Sequence, residues 1–248
     1  MRWQLAVQVL DEMSPFGPLD KPTHGRHRSA IAKGSPYGTI SGVPDLCIAQ
    51  DPAADELLSR DPFALVVGML LDQQFPMERA FAGPRLLAER MREAAGGPAD
   101  EPLTLDPAEV AAADPEAMGR WMAGPPAVHR YPGSMARRVQ ALAAAVLSEY
   151  GGDVRRIWTD PAPDGGPPDG VLVRRRLEAL PGFGRQKASI FVALLGKQLG
   201  VELAGWREAV GDYGEEGSFR SVADVRDAES LAQVRKTKQA LKARQREG

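Results

Sequence analysis

Apolar residues recur at the three- and four-residue spacing of a helix along most of the chain from residue 51 onward. No segment shows the regular alternation of apolar and polar residues that a half-exposed strand would show. The strongest segment begins after Asp61, which can cap a helix, and continues through Pro62 to the breaker Pro76. Because this segment is apolar on nearly every side, we expect a buried central helix and an all-α fold.

Local start and stop residues divide the rest of the pattern into further helices. Asp-Pro pairs at 106–107 and 114–115 should each open a short helix, and Gly83-Pro84 should break the amphipathic segment 77–92. The segment from Ser134 to Tyr150 has one apolar face, formed by Val139, Leu142, Val146 and Tyr150. The other expected helices cover residues 51–58, 171–179, 189–199, 206–210 and 228–246.

The composition allows a large core and excludes several kinds of site. Hydrophobic residues make up 43% of the 248 residues, and the formal net charge is −2, so no bulk positive charge holds the chain to DNA. A local basic surface remains compatible with that net charge. Cys47 is the single cysteine, so neither an internal disulfide nor a four-cysteine cluster can form. The three histidines show no zinc-binding spacing with it, and we expect neither a metal nor a cofactor.

The first 44 residues differ from the rest of the chain. Turn-forming residues are frequent there, so we expect 1–44 to be a disordered extension, with a short helix over Met1–Met13, before a globular domain at 45–248. No apolar run approaches the roughly 20 residues of a membrane span. The start of the chain also lacks the features of a signal peptide. We therefore expect a cytoplasmic, monomeric protein without a membrane partner, associated with the nucleoid when bound to DNA.

Two helical segments within the unit 171–199 are joined by the stretch Leu180-Pro181-Gly182-Phe183-Gly184-Arg185-Gln186-Lys187-Ala188. Pro181 disfavours helix in the residue before it, and the two glycines permit backbone angles and close approaches that a Cβ would block. The second helix begins with free N–H groups that face the turn, and such a helix end attracts anions such as a phosphate diester. The alternative is a plain helix–turn–helix corner in which Pro and Gly only end the helices.

This stretch resembles the hairpin of the helix-hairpin-helix (HhH-GPD) DNA glycosylase superfamily, the relatives of endonuclease III. In that superfamily the main-chain amides of the hairpin hold the DNA backbone. The resemblance implies DNA contacts by Gly182, Phe183, Gly184, Arg185 and Lys187, with Lys187 on a phosphate. Many endonuclease III relatives carry a four-cysteine iron–sulfur loop. This chain is therefore similar to the members without that cluster.

Two further blocks are similar to the same superfamily. The run Leu70-Leu71-Asp72-Gln73-Gln74 resembles the helix end at which a Gln fills the space left by a flipped base, so Gln73 or Gln74 is implied as the wedge. An ordinary polar end of a buried helix is the alternative. The block 133–142, followed by Tyr150-Gly151-Gly152, resembles another helix of the superfamily. The resemblance spans roughly 46–203 and implies a two-lobed helical fold with a central cleft.

The catalytic residues of the superfamily are not matched in this chain. The lysine that forms a Schiff base in bifunctional members falls on Gln186, so we expect no lysine-dependent lyase step there. The superfamily's catalytic Asp falls on Ala204. The carboxylates that remain as candidates are Glu202, Glu208 and Asp72.

A base taken out of the duplex needs a pocket of stacking and polar side chains. The irregular stretch 124–133 carries His129 and Tyr131, which we expect to line that pocket, although aromatics packed over the core would explain them equally well. The basic excess of the C-terminal helix 228–246 fits either phosphate contacts or a solvated surface.

The combined prediction is a monofunctional DNA N-glycosylase of base excision repair, with double-stranded DNA carrying a damaged or mismatched base as its partner. The missing Asp favours one alternative, a catalytically inactive protein of the same fold that binds damaged DNA. The net negative charge favours another, a helical scaffold that binds a partner protein.

Overall fold

The computed structural model describes the backbone of residues 45–247 and the side chains of residues 45–243. Over these residues, which belong to one compact unit, the chain forms eleven α-helices, two 3₁₀ turns and no strand, and this confirms the all-α class. The helices are α1 (Pro52–Arg60), α2 (Pro62–Leu71), α3 (Met77–Ala95), α4 (Pro107–Ala112), α5 (Pro115–Ala123), α6 (Pro132–Tyr150), α7 (Arg156–Thr159), α8 (Gly170–Glu178), α9 (Arg185–Gln198), α10 (Trp206–Val210) and α11 (Ala228–Glu247). The 3₁₀ turns are Gly211–Gly214 and Val222–Asp224.

The expected extension 1–44 and its short helix at Met1–Met13 lie outside the described residues. None of the helices that are described combines the length and the apolar composition needed to cross a lipid bilayer.

Four helices begin at an Asp-Pro pair, as predicted. The aspartate accepts hydrogen bonds from free N–H groups of the first turn, and the proline occupies a position where no donor is needed. The capping residues are Asp51, Asp61, Asp106 and Asp114. Asp61 also accepts from the Leu105 N–H at 2.8 Å through its second carboxylate oxygen. The start of α2 is thereby tied to the chain segment that leads into α4.

Helix α2 lies in the centre of the core, as its composition predicts. Every residue from Phe63 to Leu71 is buried. Helix α3 packs closely against it, since a Cβ on Gly68 would lie 2.7 Å from a ring carbon of Phe81. The helix ends at Leu71 rather than near Pro76, which instead precedes the first turn of α3. The residues between the two helices therefore form a loop.

The expected break at Gly83-Pro84 is wrong. Helix α3 continues from Met77 to Ala95 with Pro84 inside it, although an interior proline usually costs about 3 kcal/mol. Both residues of the pair are buried, and a Cβ on Gly83 would lie 2.7 Å from Leu71 Cδ1. Tertiary packing on α2 therefore offsets the local preference for a break.

Helix α6 begins at Pro132, slightly earlier than predicted, and ends as predicted at Tyr150. Its expected apolar face is buried, while Arg137 and Arg138 at its N-terminal end are exposed. The helix thus presents arginines beside the loop that precedes it.

The hairpin between α8 and α9 lies against the C-terminal end of α2. Gly182 has a φ of 81°, and a Cβ there would lie 2.4 Å from Leu70 Cδ1. Gly184 has extended backbone, with φ of −108°, and no atom lies within 4 Å of a Cβ placed on it. Gly182 is therefore required for packing, whereas Gly184 leaves the start of α9 open.

A buried ion pair holds the segment after α10 against α9. Lys197 Nζ lies 2.6 Å from Asp224 Oδ1, and the two side chains are 9% and 4% exposed. Lys197 also donates to the Glu215 carbonyl oxygen at 2.8 Å, and Asp224 accepts from the Arg220 N–H at 2.9 Å. These contacts order the residues around 211–224, several of which face the first turn of α9.

The two hairpin glycines should respond differently to alanine. Gly182→Ala should lower the free energy of unfolding by about 2–4 kcal/mol, because it adds both a strained backbone and a clash with Leu70. Gly184→Ala should cost at most about 1 kcal/mol, the usual cost of alanine at the start of a helix. Urea unfolding followed by circular dichroism measures both values. Equal destabilisation by the two changes would contradict the different roles assigned to the two glycines.

Candidate functional site

A cleft of about 990 Å³ opens between the C-terminal end of α2, the first turn of α9 and helix α11. Its lining carries both acidic and basic side chains. The charged residues are Asp72, Glu78, Lys187, Asp212, Arg220, Arg235, Lys238 and Lys242. Glu78 and Arg235 form an ion pair across it and so join α3 to α11.

Lys187 reaches from α9 to the end of α2. Its Nζ donates to the carbonyl oxygens of Met69 at 2.8 Å and Leu70 at 2.6 Å, which lie in the last turn of α2, where carbonyls have no partner in their own helix. Burial lowers the pKa of the Lys187 amine to about 8, and the Asp72 carboxylate opposes that shift. The side chain thus caps α2 and faces the cleft, rather than extending into solvent where a phosphate contact was expected.

Asp72 directly follows α2 and lines the same cleft. Burial raises the pKa of its carboxyl, while the charges of Lys238 and Lys187 lower it. Two amines from different helices therefore stabilise the ionised form of this carboxylate. Lys238 was not singled out in the sequence, where only the general basic excess of its helix pointed to it.

The other two carboxylate candidates do not line this cleft. Glu202 lies exposed in the loop before α10, and Glu208 is exposed on α10 itself. Glu208 borders a separate shallow depression of about 550 Å³. Asp72 is the one of the three candidates that lines the same cleft as Lys187.

The loop after α2 exposes both wedge candidates. Gln74 has a φ of 54°, a left-handed conformation that is uncommon for a residue with a side chain and costs about 1 kcal/mol or more. Gln73 accepts a hydrogen bond at Oε1 from Arg138 at 2.5 Å and is thereby tied to α6. The Gln74 side chain makes no hydrogen bond within the described residues, so it is the freer of the two.

His129 is fully buried and does not form a pocket wall as expected. Its Nδ1 accepts from the Tyr131 N–H at 3.1 Å, so Nε2 carries the proton and donates to the Gln73 carbonyl oxygen at 3.2 Å. Burial lowers the pKa of the imidazole, which favours this neutral form. His129 therefore stabilises the loop 72–76, called here the wedge loop. Tyr131 is 46% exposed and available for contact.

The hairpin residues expected to bind DNA divide into two groups. Phe183 is buried, and its ring centroid lies 6.4 Å from that of Phe191. Its side chain therefore packs in the core beneath the turn and cannot contact DNA. Gly182, Gly184 and Arg185 are exposed, and no side chain caps the first N–H groups of α9. The open end of α9 therefore remains available to an anion.

Gln186, which occupies the lysine position of the hairpin motif, donates to Tyr213 Oη at 2.9 Å. Both residues line the cleft. Gln186 and Lys187 thus reach the same hollow although they are successive residues of a helix, because Lys187 extends along the end of α2.

The arrangement offers a carboxylate, two amines and an open helix end. A carboxylate in this setting can stabilise a neighbouring cation, and an amine whose pKa is about 8 can donate a proton or act as a nucleophile near neutral pH. Within residues 45–243, no group of three or more His, Cys, Asp or Glu side chains is arranged to hold a metal ion.

Comparison of the sequence with models of known protein families gave no match, and comparison with curated protein sequences gave none either. The function has to be argued from the geometry of the cleft and of the surfaces next to it.

The reactivity of the Lys187 amine should rise through about pH 8 instead of through 10.5, the ordinary pKa of a lysine amine. Only the neutral amine attacks an acylating reagent. Asp72→Asn should move this midpoint still lower, because the Asp72 carboxylate raises the pKa of Lys187. Trace labelling with acetic anhydride at a series of pH values, followed by peptide mass spectrometry, measures the midpoint. An Asp72→Asn protein with an unchanged midpoint would show that the two groups do not interact.

Proposed function

We propose that this chain is a DNA N-glycosylase with a two-lobed helix-hairpin-helix fold, acting on a damaged or mismatched base in double-stranded DNA. The observation that carries the proposal is that the first turn of α9 contributes both to an anion-binding helix end and to the cleft. The first turn of α9 has uncapped N–H groups at its open end, and it also sends Lys187 into the cleft. Gly184 and Lys187 are about 4.5 Å apart along the helix axis, so a strand held at the hairpin would pass the mouth of the cleft.

The chemistry required is cleavage of the bond between C1′ of the sugar and a base nitrogen. In the proposal, water attacks C1′ while the base departs with the electron pair of the broken bond and is then protonated. Asp72 stabilises the positive charge that develops on the sugar, as carboxylates do in other glycoside hydrolyses. Lys187 and Lys238 bring positive charge close to the departing base and to the neighbouring phosphates.

Extraction of the base needs a side chain that enters the duplex. Gln74 suits this step because its side chain is exposed, without a hydrogen-bond partner among the described residues, and held in a strained loop. Gln73, whose amide oxygen binds Arg138, supports that loop.

A second candidate function is recognition of damaged DNA without catalysis. The exposed positions of Glu202 and Glu208, away from the cleft, favour it, because they leave Asp72 as the one sequence-derived candidate for the acid. The two functions share the DNA contacts and differ in the chemical step alone.

Base release distinguishes the two. Duplexes that carry a deaminated, an alkylated or an oxidised base are incubated with the protein and then treated with alkali, which cleaves at abasic sites. We expect release from at least one lesion, reduced about a hundredfold by Asp72→Asn and unchanged by the matched variant Glu208→Gln. Binding to these duplexes without release of a base from any lesion would support damage recognition and contradict the glycosylase activity.

The hairpin contact should depend on the open end of α9. Gly184→Asp should leave the fold intact, because aspartate is a favourable residue at the start of a helix and no atom crowds the position. It should weaken binding to duplex DNA about tenfold, because its carboxylate would occupy the N–H groups and repel phosphate. Fluorescence anisotropy gives the affinity, with Gly184→Asn as the uncharged control. Full affinity in Gly184→Asp would place the DNA contact elsewhere.

A further inference from the structure

We propose that a hollow of about 660 Å³ beside the start of helix α11 binds a free nucleoside phosphate, a small ligand with a flat base, a sugar that carries hydroxyls, and an anionic phosphate. The hollow shares no lining residue with the cleft, and no residue of the hairpin or of the loop after α2 lines it. Its volume lies within the range of roughly 300–1,000 Å³ that is usual for small-ligand sites. The inference does not depend on the proposed function.

The buried ion pair between Lys197 and Asp224 lies in the lining of this hollow and fixes the loop beside it. Lys197 Nζ donates to Ser218 Oγ at 3.3 Å, and Asp224 Oδ2 accepts from the Arg220 N–H at 2.9 Å. Phe219 lies between these two anchored residues. The backbone that carries its ring is therefore held in place before a ligand arrives, which lowers the entropy cost of binding.

Phe219 supplies an aromatic surface in the hollow. Its side chain is 39% exposed, whereas the other phenylalanines of the described residues are buried or half-buried. Burial of exposed apolar surface is favourable, and a flat base that stacks on the ring would remove this surface from water. Stacking of this kind accepts any base, because every base has a π-face.

Two guanidinium groups in the lining, those of Arg207 and Arg226, supply an anion site. Arg226 Nη2 donates to the Lys197 carbonyl oxygen at 2.8 Å. Arg207 Nη1 donates to the Gly214 carbonyl oxygen at 2.8 Å, and its guanidinium carbon lies 4.5 Å from the ring centre of Trp206. Neither arginine forms an ion pair within residues 45–243. Each is thus oriented through one N–H and keeps further donors for the oxygens of a phosphate.

The acids of the lining favour a nucleoside phosphate over a simple anion. Asp224 is neutralised by its ion pair, and Asp227 accepts from the Ser230 N–H at 2.7 Å at the start of α11. Glu216 and Glu229 are exposed and form no ion pair in the described part of the chain. Carboxylates repel a lone phosphate but accept hydrogen bonds from ribose hydroxyls, as acidic residues do in dinucleotide sites. One ligand that meets arginines, carboxylates and an aromatic ring together is a nucleotide.

Isothermal titration calorimetry tests the three parts of the ligand separately. Adenosine 5′-monophosphate is the probe, because a purine offers a large stacking face, and we expect a Kd of about 1 mM or lower. Adenosine lacks the phosphate and ribose 5-phosphate lacks the base, so each should bind at least about tenfold more weakly. The 2′,3′-dideoxy form of the probe lacks the hydroxyls and should bind about fivefold more weakly.

Variants place the probe in the hollow. Phe219→Ala and Arg226→Gln should each weaken its binding about tenfold. Phe219→Leu keeps apolar volume without the flat ring and should weaken binding to a similar extent. Arg120→Gln, at an exposed arginine of α5 that does not line the hollow, is the matched control, and Lys238→Gln tests binding in the cleft. Both should keep the wild-type affinity, and circular dichroism melts of every variant establish that the fold is retained.

Selective loss of binding in the Phe219 and Arg226 variants would support the proposal. Wild-type affinity in these variants, or a loss confined to Lys238→Gln, would place the probe elsewhere and overturn it. Ribose 5-phosphate that binds as tightly as the full probe would overturn the nucleoside part, and absence of binding by the probe would overturn the whole proposal. A 5′-phosphorylated oligonucleotide that binds more tightly than the probe, with sensitivity to Phe219→Ala, would show a strand end instead of a free nucleotide. Base release from damaged duplexes is measured separately, so failure here leaves the glycosylase proposal standing.

Discussion

The rest of the site depends on one contact, that between the hairpin and the end of α2. Gly182 allows Leu70 to pack directly against the turn, and Lys187 donates to the carbonyls of Met69 and Leu70. The same contact therefore satisfies the last carbonyls of α2 and brings the Lys187 amine into the cleft that Asp72 also lines, where the Asp72 carboxylate raises the pKa of the amine. The last carbonyls of a helix have no partner within the helix, and the Lys187 amine supplies donors to two of them.

The distribution of charged side chains differs between parts of the surface of this protein. A chain with a net charge of −2 nevertheless places Lys187 and Lys238 around Asp72 in the cleft. Arg79 and Arg130 lie over the rings of Phe75 and Tyr131, near the loop between α2 and α3. Elsewhere many arginines are neutralised by acids in ion pairs. Net charge therefore does not describe the charge of an individual surface when the pairing of charges differs from one surface to another.

The loop between α2 and α3 lines the cleft and also contacts the buried ring of His129. Asp72 and Phe75 both line the cleft, and the Phe75 ring centroid lies 4.6 Å from that of His129. His129 holds the loop from a distant part of the chain through the Gln73 carbonyl oxygen. The left-handed backbone of Gln74 is stable because contacts on both sides of it are already fixed.

Local sequence patterns were enough to predict the all-α class, the helix starts at Asp-Pro pairs, the burial of α2 and the glycine turn. These features follow from capping, backbone angles and periodicity, which act over a few residues. Packing decided the rest: α3 continues through Pro84, Glu202 lies outside the cleft, and Lys238 joins it from the last helix. Periodicity records which face of a helix is apolar, but not which polar side chains of distant helices meet. For that reason the hairpin was recognisable as a turn with an open helix end, while the use of Lys187 to cap α2 emerged only from the tertiary structure.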